Sequence, residues 1–121
     1  MKNKKLLLLS SSRVKATQYL NHALPMIESH LAGITELLFI PYAGVTVSYD
    51  DYTAMVQKAL SPLNINVTGI HQCGNTITAV QSAQAIAVGG GNTFHLLHQL
   101  YENNLVRAIS NAVEGGTPYI G

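Results

Sequence analysis

The chain has 121 residues, a net charge of +1, 47% hydrophobic residues and only 11% charged ones. That length fits one domain over residues 1–121 with a real core, and a charged fraction far below the usual ~25% predicts that part of the exterior is covered. Lys and Arg form no stripe, which excludes nucleic acid as the main partner; no apolar run approaches membrane-spanning length; and the single Cys73 excludes an internal disulfide and fits a reducing compartment.

In chain order, Lys5–Ser10 reads as the first strand, because Leu6-Leu7-Leu8-Leu9 is too short for the apolar core of a signal peptide. Ser10-Ser11-Ser12 forms the loop after it. Ala16, Leu20, Ala23 or Leu24, Ile27 and Leu31 then make a helical stripe, and Pro25 within it predicts a kink or break. Glu36–Pro41 is the second strand and runs into a loop that carries Tyr42 and Gly44. Tyr52, Met55, Val56, Ala59, Leu60 and Leu63 mark a helix that Asp50 or Asp51 caps and Pro62 ends. Asn66–His71 is the third strand, and Ile77, Val80 and Ala83 a short helix. Ala85–Val88, the fourth strand, leads into Gly89-Gly90-Gly91-Asn92-Thr93. Two further helices show apolar stripes: Phe94, Leu97, Leu100 and Tyr101, then Leu105, Ile109, Ala112 and Val113. Pro118–Ile120 is the last strand, and Gly121 follows it.

Buried strands that alternate with helices predict an α/β fold: a three-layer, flavodoxin-like, mostly parallel sheet with helices on both faces. The loops after its strands converge on one edge, where ligands of such sheets bind. Of these loops the triple glycine is the most informative. It is either a tight turn that needs positive φ or a place where backbone amides meet an anion at a helix N-terminus, with Asn92 and Thr93 adding side-chain donors. Known nucleotide loops do not fit. A dinucleotide fingerprint would need glycine where Phe94 stands, and no Gly-Lys follows at P-loop spacing. An oxyanion hole remains, with glycine amides facing a nucleophile on the turn after a neighbouring strand.

The histidines offer little chemistry. His95 and His98 share a helix face without a third metal ligand, and His22 and His30 read as helix-surface residues. His71 is expected near the loop edge; a pair with Cys73 would lack an orienting acid. Ser10, Ser11 and Ser12 have no adjacent base.

The sequence resembles peptidase E, the α-aspartyl dipeptidase family of serine peptidases. The resemblance is carried by Leu6–Ser10, Asn21-His22-Ala23-Leu24-Pro25, Phe39–Thr46, Asp51-Tyr52-Thr53, Asn66–His71, Val88–Phe94 and Tyr119-Ile120-Gly121. It spans the whole chain but only about the first half of the family protein. It implies a cytoplasmic enzyme without metal or cofactor that cleaves dipeptides with an N-terminal aspartyl residue. In the family, Trp-Ser-Ala-Gly follows Tyr-Ile-Gly, and its serine is the nucleophile. The sheet is therefore expected to be truncated at the nucleophile strand, with the catalytic triad beyond Gly121 and no catalytic residue in this chain. Gly89, Gly90, Gly91 and Asn92 carry over as the oxyanion and substrate-backbone side. Ser10, Tyr42, Gly44, Thr93 and Gly121 are expected to line the pocket, Tyr42 with a packing role as its alternative. The implied partners are a dipeptide substrate of the intact protein, and self-association or pairing with the missing C-terminal half. The alternative is a non-catalytic α/β module that binds a partner chain or a small anion.

Overall fold

The computed structural model describes residues 6–7 and 24–121. Five strands form one parallel sheet: β1 (Leu6–Leu7), β2 (Glu36–Ile40), β3 (Asn66–Gly69), β4 (Ile86–Val88) and β5 (Tyr119–Ile120), in the order β1-β5-β4-β2-β3. The helices are α1 (residues 24–30), α2 (Tyr49–Leu60), α3 (Thr76–Ser82), α4 (Thr93–Glu102) and α5 (Leu105–Glu114). The run β3-β2-β4-β5 follows the flavodoxin-like order, and β1 takes the place beside β5.

Each apolar strand feeds two cores, because successive side chains point to opposite faces. From β2, Leu37 and Phe39 enter one core with Ile27 of α1 and Tyr52, Val56 and Leu60 of α2. Leu38 and Ile40 enter the other with Val80 of α3, Leu105 of α5 and Leu96 and Leu100 of α4. The connections β1→β2 and β2→β3 run one way across the sheet, and β3→β4 and β4→β5 run back. Crossovers of one hand must then lie on opposite faces, and the membership of the two cores shows that they do.

The direction change makes a switch point between β2 and β4, whose outgoing helices diverge to opposite faces. They pair in register through Leu38↔Ile86, Phe39↔Ala87 and Ile40↔Val88. At the far edge, the Gln57 side chain of α2 accepts from the Val67 N–H (2.8 Å) and donates to the Ile65 carbonyl (2.9 Å), closing outward-facing backbone groups along β3.

Several expectations need correction. Strand β3 ends at Gly69, and a 3₁₀ turn (Ile70–Gln72) contains His71. Ser48, rather than Asp50 or Asp51, caps α2: its hydroxyl accepts from the Asp51 N–H. Short Ser side chains reach the orphan amides of a first turn as well as Asp does. Helix α2 ends at Leu60, and Pro62 falls in a 3₁₀ turn over Ser61–Leu63. On α4 the row Phe94, Leu97 and Tyr101 faces solvent, with Phe94 87% exposed; Leu96 and Leu100 turn inward. His30 is not a plain surface residue. Its Nε2–H donates to the Tyr119 carbonyl at 3.1 Å, and a carbonyl can only accept. Residues 8–23 lie outside the described residues, and with them Ser10, Ser11, Ser12, His22 and the stripe before Leu24 on which the expected kink at Pro25 depends.

Candidate active site

The glycine turn leaves the carboxyl end of β4, and Gly121 leaves the carboxyl end of the adjacent β5. The two strands pair through Ala87↔Ile120, so turn and terminal glycine share one edge of the sheet. The loop after β2 meets the glycine turn there. The Gly89 N–H donates to the Ile40 carbonyl (3.0 Å) and extends the ladder; the Asn92 N–H donates to the Ala43 carbonyl (2.8 Å). Both ends of the turn are thereby pinned to the β2 side. Between them, the Gly90 and Gly91 N–H groups have no acceptor among the described residues, and both residues are exposed.

The glycines are dictated by what surrounds them. Gly91 has φ +143°, and a Cβ there would run into the Ala43 carbonyl oxygen. A Cβ on Gly89 would lie 2.5 Å from the Tyr52 hydroxyl and 2.8 Å from Phe39 Cζ. Gly44 donates its N–H to the Pro41 carbonyl, and a Cβ on it would press on the Tyr52 ring at 2.7 Å. Asn92 caps α4, its side-chain oxygen accepting from the His95 N–H at 2.9 Å. Thr93 opens the helix and is exposed. The positive end of the α4 dipole therefore lies at the glycine turn.

Tyr42 points into the second core and is buried. Burial pushes its hydroxyl pKa up, with neighbouring Tyr49 and Cys73 adding to the effect. An aromatic chain continues from it: Tyr42 meets Tyr49 edge to face, Tyr49 meets His71, and the Tyr49 hydroxyl lies 3.2 Å from His95 Nε2. His71 Nε2 lies 2.7 Å from Asp50 Oδ1, so this histidine does have an acid, supplied by the first turn of α2. An Nε2–H donated to Asp50 leaves Nδ1, which is buried without a partner among the described residues, as a bare lone pair. That costs less than an unsatisfied N–H would. Cys73 takes no part; its thiol donates to the Gly69 carbonyl at 3.7 Å. Among the described residues no three His, Cys, Asp or Glu converge as a metal site.

Sequence reasoning missed one residue at the site. Tyr52 belongs to the apolar stripe of α2, and its ring does pack edge-on against Phe39, but its hydroxyl donates to the Gly90 carbonyl at 3.0 Å. The available signal was chemical: a tyrosine on a core-facing stripe needs a partner for its hydroxyl.

The profile of peptidase family S51 matches residues 6–121. The chain belongs to this family. It is 53% identical over 115 residues to Peptidase E of Shewanella sp. (strain ANA-3), a match covering 95% of this chain and 49% of the relative. Peptidase E of Shewanella baltica (strain OS185) is 52% identical over 115 residues, with 48% of its length covered. This S51 chain thus spans about half the length of the curated relatives it matches. Among solved structures, a Listeria monocytogenes EGD-e protein assigned as a peptidase E superposes with a TM-score of 0.76 at 27% identity, covering 98% of this chain and 57% of that one. A peptidase from an acI-B1 Actinobacterium has a TM-score of 0.65 at 16% identity and supports the fold alone. No helix among the described residues is long and apolar enough to cross a membrane.

Proposed function

We propose that this S51 chain supplies the oxyanion side of a serine-peptidase site that hydrolyses dipeptides with an N-terminal aspartyl residue. The observation that carries the reading is the pair of neighbouring amides at Gly90 and Gly91, which lack an acceptor among the described residues and sit at the switch-point edge beside Gly121. In such a site a serine hydroxyl attacks the aspartyl-X carbonyl. The two N–H groups bind the oxygen as it gains negative charge, and the N-terminus of α4 adds positive potential. Fixed donors of this kind contribute about 10²–10³ in rate each. The serine, its general base and their acidic partner would come from sequence that the Shewanella relatives carry outside the matched half. Gly89 and Asn92 hold the loop in place, Gly44 and Thr93 border it, and Gly121 opens the nucleophile turn. The reading places the enzyme in the cytoplasm.

The test is a chimera in which this chain replaces the matched half of Peptidase E from strain ANA-3. We expect the chimera to hydrolyse Asp-Leu and the 121-residue chain alone to be inert. A folded chimera without activity, or enzyme-like turnover by the chain alone, overturns the proposal.

The outer row of α4 fits the same reading. Phe94, Leu97 and Tyr101 are exposed along it, and Tyr101 lines an open depression with Leu100, Asn104, Val106 and Arg107. Exposed apolar area of this kind drives association. We expect the 121-residue chain to self-associate on size-exclusion chromatography and Leu97→Asp to restore a monomer. A wild-type monomer with a cooperative melt favours the non-catalytic binding module instead.

A further inference from the structure

We infer that Tyr52 is a positioning residue: its hydroxyl sets the plane of the Gly90–Gly91 peptide so that the Gly91 N–H projects outward at the sheet edge shared with Gly121. The inference rests on the oxyanion reading above and adds the side chain that makes it work.

Backbone bonds fix the turn at Gly89 and at Asn92. The peptide between Gly90 and Gly91 is flanked by two glycines, whose φ and ψ are the least restricted of any residue. It could rotate as a unit at little cost. The bond from the Tyr52 hydroxyl to the Gly90 carbonyl, 3.0 Å long, opposes that rotation. No cis peptide is present among the described residues, and in a trans peptide the N–H points opposite to the preceding C=O. With the Gly90 carbonyl drawn inward to a buried phenol, the Gly91 N–H must point outward.

The phenol is itself held on every side. Its ring lies edge-on to Phe39, with centroids 5.0 Å apart and planes at 70°. Gly44 and Gly89 close over it so tightly that neither has space for a Cβ. Tyr52 therefore explains why the loops after β2 and β4 both carry glycine where they meet. It ties the orientation of one amide to the rigid α2 and the sheet beneath.

The test uses the 121-residue chain labelled with ¹⁵N and ¹³C, with acetate as a carboxylate probe. In the wild type, acetate is expected to shift the Gly90 and Gly91 amide resonances saturably. Tyr52→Phe keeps the ring and removes the donor. A buried hydrogen bond contributes roughly 1 kcal/mol net, so acetate affinity should fall about five- to tenfold. The Gly90 and Gly91 signals should also broaden through microsecond-to-millisecond exchange while the Gly44 resonance stays in place, and the melting temperature should fall by only a few degrees, as loss of one hydrogen bond requires. A purely packing role would leave the affinity unmoved, and an unchanged acetate titration in Tyr52→Phe overturns the inference. If the wild-type glycine amides ignore acetate, the oxyanion reading fails first and the role of Tyr52 falls with it. Should Tyr52→Phe not fold, Tyr52→3-fluorotyrosine decides the matter. It retains a hydroxyl that donates more strongly, so the Gly90 carbonyl ¹³C resonance is expected to move and acetate binding to persist. An unmoved carbonyl resonance overturns the inference.

Discussion

Replacing Gly91 with alanine is expected to destabilise the chain by about 3 kcal/mol, seen as a lower urea midpoint at an unchanged slope. Two costs combine. The residue sits at φ +143°, a region L side chains rarely enter, and the new methyl group would collide with the carbonyl of Ala43. That carbonyl cannot retreat without stretching its 2.8 Å bond from the Asn92 N–H, which also fixes the entry of α4. Relief therefore means moving the helix or opening the turn, and either removes the paired amides. The control is Gly74→Ala. No atom lies within 4 Å of a Cβ there and φ is not positive, so the midpoint should move by no more than roughly 0.5 kcal/mol equivalent. Equal midpoints for the two variants would mean that the turn is not built as described.

The second large effect is expected at Leu105. It is 0% exposed, the one buried residue of α5, and it packs in the core with Ile40, Ile70, Val80 and Ile86. Leu105→Ala removes its side-chain contacts and leaves a cavity that a helix-on-sheet layer closes poorly. A loss of about 3–4 kcal/mol is expected from equilibrium denaturation, a large share of the 5–15 kcal/mol typical of a domain. Val106→Ala, next to it and 41% exposed, should cost less than about 1 kcal/mol. If the two variants melted together, α5 would not be seated on the sheet through Leu105.

The sheet was legible because its central strands, β2 and β4, are buried on both faces. Glu-Leu-Leu-Phe-Ile at 36–40 has an apolar residue at four successive positions, which only a strand between two helical layers requires. The alternation of strands with helices then restricted the topology. The placement of the glycine turn on the edge shared with Gly121 followed from parallel pairing alone.

What sequence could not yield were choices settled by tertiary contact. Helix α4 carries two apolar rows, 94-97-101 and 96-100, and periodicity supports either as the inward face. The Asn92 cap and its bond to Ala43 decide between them by fixing where the helix starts. The Asp50–His71 pair joins residues 21 positions apart, and nothing local to either announces the other. Tyr52 was visible as a core residue because ring burial follows the helical period, while its hydroxyl reaches 38 positions along the chain to Gly90. Site geometry in this fold depends on such long-range bonds, whereas the layers depend on local pattern.

The two Gln57 bonds have a bearing on how this protein behaves when crowded. A strand from a neighbouring molecule could zip onto β3 only by first evicting an amide that already occupies Val67 and Ile65. That flank is bolted shut, and fibre growth by stacking sheets end on end would have to begin elsewhere.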